Sequence, residues 1–230
     1  MNNQAKTLNL TDSAIEIETS ADPTAAVIWL HGLGADGNDF APIVPELTLP
    51  DDFGIRFIFP NAPLQSVTCN GGYVMRSWYD IYSLNDFEKE DKVGLIQSQQ
   101  SIEALIQQEI QRGINPGRII LMGFSQGGAV ALYTGLRFSQ RLAGIGALST
   151  YLPLRDELAS EQHSSNTDIP IFMAHGSHDQ VVRYEIGESS CKHLQQLGYD
   201  VHWNSYPMEH SVCPEEITDI STWIAKCLAG

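Results

Sequence analysis

Short apolar segments separated by longer segments of helical period are the feature that most constrains the fold of this chain. Ala25–Leu30 and residues 171–174 are apolar at every position, which is typical of strands covered by helices on both faces. Residues 91–112 instead place apolar side chains three and four positions apart, as an amphipathic helix does. Because the two kinds of segment alternate, the sequence predicts an α/β fold with a mostly parallel central sheet and helices on both faces. The predicted strands are Ile15–Glu18, Ala25–Leu30, Ile55–Phe59, 118–122, Gly144–Leu148, 171–174 and Val201–Tyr206, and the further predicted helices are 126–138, 185–197 and 215–227.

The chain is predicted to be one domain spanning residues 1–230, because its 230 residues contain neither an internal repeat nor a Gly/Ser-rich linker. A stretch from Pro60 to about Glu90 is predicted to be irregular, since turn-forming residues cluster at 61–63 and 70–72. A loop of that length in a compact domain is usually functional. We therefore expect this stretch to line a site.

The charge balance limits the partners of the protein. The chain has 28 acidic and 13 basic residues and a formal net charge of −15 at pH 7. A field of this sign repels phosphate backbones, so nucleic acid is not expected as a partner. The apolar runs are too short to span a bilayer, so stable membrane insertion is not expected either.

The cysteine content bears on metal binding and on the cellular compartment. The chain has 4 cysteines and no C-x-x-C pair, so neither a disulfide framework nor a structural zinc site is expected. No signal peptide is visible in the first 24 residues. Because free thiols suit a reducing compartment, the sequence predicts a cytoplasmic protein without a metal site.

The strongest chemical signal is the sequence Gly-Phe-Ser-Gln-Gly at residues 123–127. A bare G-x-S-x-G pattern is weak evidence, but here an apolar strand precedes it and a helical segment follows it. A sharp strand-to-helix turn exposes the serine hydroxyl at the carboxyl end of the strand, beside a helix N-terminus that favours negative charge. We therefore predict that Ser125 is a nucleophile.

A serine nucleophile needs a base, and the sequence offers 7 histidines. In folds with this turn, the base comes last in chain order, on a loop after the final strand. His210 meets that requirement, because it follows the strand Val201–Tyr206 and precedes the C-terminal helix. His202 and His193 lie within a predicted strand and helix, and His163 lies in a polar segment.

The acid that orients this base is predicted to be Asp179. It follows the strand at 171–174, and one helix and one strand separate it from His210. That spacing places the two loops side by side. Of the histidines near the acid, His178 is predicted to lie at the rim of the site and His175 to be structural.

Acyl transfer also needs hydrogen-bond donors for the oxyanion of the tetrahedral intermediate. The backbone N–H of Gln126, which follows the nucleophile, is one predicted donor. The second is expected from the loop after Ala25–Leu30, which reads His-Gly-Leu-Gly at residues 31–34. Glycines let this loop approach the substrate, and the N–H of Leu33 is the predicted donor.

Taken together, these segments resemble the carboxylesterase and acyl-protein thioesterase family of α/β hydrolases, also called the phospholipase/carboxylesterase family. The resemblance runs nearly from end to end. Besides residues 123–127, it includes the segments at 29–34, 59–63, 70–80 and 175–182. It implies a single-domain α/β-hydrolase fold and hydrolysis of carboxylic esters and thioesters.

The resemblance also implies which residues form the site. It assigns a catalytic triad to Ser125, Asp179 and His210, with the N–H groups of Leu33 and Gln126 as oxyanion donors. The Trp-Tyr-Asp segment at residues 78–80 lines or supports the site in such enzymes. The residues implied to contact substrate are Leu33, Trp78 and Val182.

Three departures from the family pattern bear on substrate preference. Arg183 stands where proline is often found after the paired valines, and Glu209 stands where glycine commonly precedes the catalytic histidine. Residues 63–67 lack an arginine-proline pair that is often present there. None of these departures removes a catalytic group.

The sequence therefore predicts a serine hydrolase that cleaves esters or thioesters of short to medium acyl chains through an acyl-enzyme intermediate, without a cofactor. Its partner is a small-molecule acyl ester or thioester, with an acylated protein as a further candidate. One alternative is a lysophospholipase or lipase activity, which differs in the leaving group. The other is a non-catalytic ligand-binding protein with the same fold. The sequence leaves open whether the protein is a monomer or a homodimer.

Overall fold

The computed structural model describes residues 14–50, 52–83 and 89–229. Strands and helices alternate along most of this part of the chain, as the sequence predicts. The strands are β1 (Ile15–Glu18), β2 (Ala25–Leu30), β3 (Ile55–Phe59), β4 (Leu64–Val67), β5 (Tyr73–Arg76), β6 (Ile119–Phe124), β7 (Gly144–Leu148), β8 (Ile171–Gly176) and β9 (Val201–Tyr206). The helices are α1 (Lys92–Gln111), α2 (Gln126–Gly135), α3 (Arg155–Glu161), α4 (Tyr184–Gln196) and α5 (Pro214–Leu228).

A seven-stranded sheet in the order β1-β3-β2-β6-β7-β8-β9 forms the centre of the fold. β1 pairs antiparallel with β3 at one edge, and all the other pairs in this sheet are parallel. The prediction of a mostly parallel sheet is therefore confirmed. Because parallel strands end at the same edge, the loops after β2, β6, β8 and β9 meet there.

The sheet is buried on both faces, which explains why its strands are apolar throughout. Along β2, Ala26, Ile28 and Leu30 pack into one apolar cluster, while Val27 and Trp29 pack into the other. The first cluster lies between the sheet and α1, α2 and α4, and the second includes side chains of α5. Among the described residues, no helix is both long enough and apolar enough to cross a membrane.

Two elements differ from the sequence-based prediction. The stretch predicted to be irregular from Pro60 to about Glu90, of which residues 84–88 lie outside the described residues, contains an antiparallel hairpin of β4 and β5. These strands have four residues each and are largely exposed, so they lack the apolar run of a buried strand. α3 was also not predicted, and it has one buried residue, Leu158, in seven.

The backbone of β8 lies directly against the segment that precedes residue 210. A Cβ added at Gly176 would lie 2.3 Å from the carbonyl oxygen of Glu209. Beyond the end of β8, the N–H groups of Ser177 and His178 donate to the carbonyls of Tyr206 and Met208, at 2.8 and 3.0 Å. This backbone pairing holds the loop after β8 beside the loop after β9.

A carboxyl group is buried where α5 begins. Glu216 lies in the first turn of that helix and is 0% exposed. Burial raises the pKa of Glu216 to about 8, the N–H of Cys213 opposes this shift, and the charge of Asp219 adds to it. The folded protein therefore keeps this carboxyl protonated at a pH where the unfolded chain ionises it.

We expect Glu216→Gln to stabilise the protein in a pH-dependent way. The pKa of Glu216 is higher in the folded state than in the unfolded state, so wild-type stability falls as pH rises from about 4.5 to about 8. Glutamine has the same shape and does not ionise. The gain in free energy of unfolding should grow over this range to about 1–3 kcal/mol. Thermal unfolding at pH 5 and pH 9 measures it, with the exposed neighbour Glu215→Gln as control; an equal gain at both pH values would contradict the prediction.

Candidate active site

The turn between β6 and α2 holds Ser125 in a strained conformation. Its φ of 53° and ψ of −122° lie in a region that residues with a side chain rarely adopt. The flanking glycines have no room for a side chain. A Cβ at Gly127 would lie 2.4 Å from the carbonyl oxygen of Leu30, and one at Gly123 would lie 2.3 Å from the carbonyl carbon of Gly127. The strand-turn-helix geometry predicted from the Gly-Phe-Ser-Gln-Gly sequence is present.

Hydrogen bonds from the next strand fix the main chain of this turn. The N–H of Ser125 donates to the carbonyl of Leu148 at 2.8 Å, and the hydroxyl of Thr150 donates to the carbonyl of Ser125 at 2.6 Å. The side chain of Ser125 makes no capping hydrogen bond to α2, although it occupies the N-cap position. Its hydroxyl is thus positioned at a helix N-terminus without a structural task there.

Asp179 and His210 are joined by a short hydrogen bond. The Nδ1 of His210 lies 2.6 Å from Oδ2 of Asp179, and the other carboxylate oxygen accepts the N–H groups of Val181 and Val182 at 2.8 and 2.9 Å. Because a carboxylate accepts, the proton sits on Nδ1, which leaves Nε2 of His210 able to take a proton.

The carboxyl group of Asp179 is ionised in this environment. Its side chain is almost completely buried, and burial alone would raise its pKa. Polar contacts with His175, His210 and the N–H of Val181 outweigh burial and hold the pKa of Asp179 well below its usual range. A charged, oriented carboxylate next to the imidazole stabilises the imidazolium.

A cavity of about 300 Å³ brings the candidate residues together. Ser125, His210, Gln126, Leu33 and Val182 all line it. Most of its remaining lining is apolar or aromatic and comes from Gly32, Ala35, Ile81, Phe124, Tyr151 and Val181, with Asp39 and Asn70 as polar members. A larger cavity of about 600 Å³ lies where β7, β8 and β9 begin, and none of the predicted site residues lines it.

Leu33 lines this cavity from the loop after β2. The Nδ1 of His31 lies 2.7 Å from the carbonyl oxygen of Gly32, which fixes one end of the peptide group whose other end is the N–H of Leu33. In a trans peptide the two groups point in opposite directions, so the N–H points away from His31. The Nε2 of His31 accepts the N–H of Ala62 at 3.0 Å, and burial lowers the pKa of His31. Sequence reasoning did not find this role of His31.

The side chain of Gln126 connects the turn at Ser125 to the segment of residues 77–79. Its Oε1 accepts the N–H of Trp78 at 3.0 Å, and its Nε2 donates to Ser77 Oγ at 2.9 Å and to the carbonyl of Tyr79 at 2.7 Å. All three hydrogen-bonding partners lie inside the fold, so this glutamine side chain holds the turn at Ser125 against the segment of residues 77–79. The sequence identified its backbone N–H and missed its side chain.

The structure corrects the prediction that Trp78 contacts substrate. Trp78 is 2% exposed and does not line the cavity at Ser125. A buried indole N–H needs an acceptor. The indole N–H of Trp78 donates to the carbonyl of His31 at 2.8 Å, and the indole ring packs against the imidazole of His31. Trp78 therefore supports the loop that carries Leu33.

Of the departures from the family pattern, Arg183 and Glu209 both have exposed side chains.

Comparison with known proteins identifies the family. Residues 12–228 match the phospholipase/carboxylesterase family. The chain belongs to this family. It is 37% identical to an acyl-protein thioesterase 1 of Cryptococcus neoformans, over 93% of this chain and 97% of that protein. The acyl-protein thioesterase 1 of Yarrowia lipolytica is 40% identical over 93% of this chain and 96% of its own length.

Solved structures agree with this assignment. Arabidopsis thaliana SOBER1 has a TM-score of 0.83 and 31% identity, covering 89% of this chain and 99% of its own. Zea mays acyl-protein thioesterase 2 also has a TM-score of 0.83, with 27% identity over 94% of this chain and 98% of its own. The protein has the α/β-hydrolase fold predicted from its sequence and is a serine hydrolase of esters or thioesters. The prediction of an enzyme is confirmed, against the alternative of a non-catalytic binding protein.

No metal centre was predicted from the sequence. In the part of the chain that the structure describes, no group of three or more His, Cys, Asp or Glu side chains is arranged to hold a metal ion.

The strain at Ser125 predicts a difference in stability between two variants that lack the serine hydroxyl. Ser125→Gly and Ser125→Ala both remove the hydroxyl, but only glycine adopts positive φ without steric cost. Relief of strain exceeds the entropic cost of glycine, so we expect Ser125→Gly to be the more stable variant by about 1 kcal/mol, or about 2–4 °C in Tm. Calorimetry of both variants measures this. Equal melting temperatures would mean that the turn stores no strain.

Proposed function

We propose that Ser125, His210 and Asp179 are the catalytic triad of this hydrolase. One observation carries the proposal: the imidazole that is hydrogen-bonded to a buried, ionised carboxylate lines the same cavity as the strained serine. The three residues occupy loops after β6, β8 and β9, in the chain order Ser, Asp, His that is typical of α/β hydrolases.

In the proposed reaction, Nε2 of His210 takes the proton of the Ser125 hydroxyl as the oxygen attacks the acyl carbonyl carbon. The resulting imidazolium is stabilised by Asp179 and gives its proton to the departing alcohol or thiol. The acyl group is now an ester of Ser125. A water molecule, deprotonated by His210, attacks this ester and releases the carboxylic acid, which restores the serine hydroxyl.

The oxyanion formed in both steps needs donors that are already in place. We assign this role to the backbone N–H groups of Leu33 and Gln126, because both residues line the cavity. The contacts of His31 with Gly32 and Ala62 support the assignment, because they fix the peptide group that carries the Leu33 N–H. Such donors stabilise the transition state without having to reorganise during the reaction.

The proposed substrate is a thioester or ester with a short to medium acyl chain, including acyl groups on protein cysteines. The apolar lining of the cavity suits an acyl chain, and its volume is at the small end of the range for ligand pockets. The relatives named acyl-protein thioesterase support a protein-bound leaving group. The 4 unpaired cysteines support action in the reducing cytoplasm.

Replacement of the nucleophile tests the triad. We expect Ser125→Ala to lower kcat for acyl thioesters by several orders of magnitude and to abolish labelling by an active-site phosphonate probe, because the hydroxyl that would carry the acyl group is removed. The exposed Ser211→Ala, beside His210, is the matched control and should be labelled like wild type. Labelling of the Ser125→Ala variant would show that another residue is the nucleophile.

A larger side chain at Leu33 tests the acyl cavity. Leu33→Trp keeps the backbone N–H but fills part of the cavity. The variant should therefore lose more kcat/KM for substrates with longer acyl chains than for those with short ones. We expect kcat/KM for an octanoyl thioester to fall about tenfold more than that for an acetyl thioester. The same change at the exposed Val93 on α1 is the control and should leave the ratio unchanged. A uniform loss for both substrates would place the acyl chain elsewhere.

A further inference from the structure

His175 is a buried imidazole that the proposed mechanism does not use. It is the penultimate residue of β8 and has no exposed surface. Its ring stacks on Trp203, with centroids 6.1 Å apart, and contacts the edge of Tyr184. On its far side lies Gly187 of α4, where an added Cβ would be 2.3 Å from Nδ1 of His175. Packing on all sides therefore fixes the plane of this ring.

One hydrogen bond determines the tautomer of His175. Its Nε2 lies 2.7 Å from the carbonyl oxygen of Val182. A carbonyl oxygen only accepts, so Nε2 carries the proton and donates it. The Nδ1 atom has no hydrogen-bond partner among the described residues, and a proton placed there would be buried without an acceptor.

The same N–H lies beside the proposed catalytic acid. Nε2 of His175 is 3.4 Å from Oδ2 of Asp179, the oxygen that receives the hydrogen bond of His210. The other oxygen of Asp179 accepts the N–H groups of Val181 and Val182. The turn of residues 179–182 is thus held from within by its own carboxylate and from outside by His175.

We propose that His175 is a positioning residue for the hydrolytic reaction: it holds the Val182 carbonyl, and with it the turn that aims Oδ2 of Asp179 at His210. This inference rests on the proposed triad. Because the Val182 side chain lines the cavity, the same hydrogen bond connects the orientation of the acid to the shape of the acyl site. Removal of the donor leaves a buried carbonyl unpaired and lets the turn shift.

The experiment compares His175→Phe, which keeps a flat ring without a donor, with His175→Gln, whose side-chain amide can reach the place of Nε2. Trp203→Phe is the packing control, since it changes the stacking partner and leaves the donor in place. For each folded variant we would measure kcat and KM for an acetyl thioester. In addition, the low-field proton resonance of the His210 Nδ1–H would be recorded in enzyme carrying a phosphonate on Ser125.

We expect His175→Phe to lower kcat about 10- to 100-fold with little change in KM, and to shift or broaden the low-field resonance. His175→Gln should recover most of the wild-type kcat and most of the low-field resonance. Trp203→Phe should behave like wild type. An unchanged kcat and resonance in His175→Phe would overturn the proposal. If that variant does not fold, His175→Asn replaces it, because its amide reaches only the place of Nδ1; equal kcat of the Gln and Asn variants would then overturn it.

The outcomes separate this inference from the proposed function. If wild-type protein forms no phosphonate adduct on Ser125, the proposed triad fails and His175 has no reaction to support. If the adduct forms and the resonance of His210 is insensitive to His175, only the positioning role fails. Loss of the resonance in Trp203→Phe as well would assign the effect to packing and overturn the donor role.

Discussion

Direct contact of backbone with backbone at the carboxyl edge of the sheet is the constraint on which the candidate site depends. The turn at Ser125 fits because Gly127 lies against the Leu30 carbonyl at the end of β2. The acid and base loops meet because Gly176 lies against the segment before His210. Neither contact leaves room for a Cβ, so the backbones are in direct contact and the positions of the loops are closely fixed. Catalytic geometry of this kind loses rate steeply with small displacements.

Two buried histidines at this edge of the sheet have similar surroundings. β2 is followed by His31 and Gly32, and β8 ends in His175 and Gly176. In both cases the imidazole holds a main-chain carbonyl: that of Gly32 for the first and that of Val182 for the second. One carbonyl belongs to the peptide group of a proposed oxyanion donor and the other to the turn of the proposed acid. Ser125 is thus flanked by loops that imidazole rings hold in place.

The sequence predicts those parts of the fold that periodicity determines. The buried strands are found because each is apolar on both faces, and Ser125, Asp179 and His210 can be predicted as a triad because their chain order matches that of the fold. The hairpin of β4 and β5 is not found, because exposed four-residue strands carry no apolar run. The prediction that Trp78 contacts substrate fails for a different reason. The burial of Trp78 depends on an acceptor, the His31 carbonyl, that is 47 positions away in the chain and adjacent only in the folded protein.

The energetic cost of the site is concentrated in a few residues and is small compared with the core that offsets it. The backbone strain at Ser125 costs about 1–3 kcal/mol, and burial opposes ionisation of the Asp179 carboxyl. Complete burial of one large apolar side chain contributes about 1.5–3 kcal/mol, and both faces of the sheet consist of such side chains. A sheet that is buried on both faces can therefore hold strained and charged groups at one edge. Because the strained turn continues directly from β6 into α2, both of them buried along their whole length, relaxation of Ser125 would require the core itself to move.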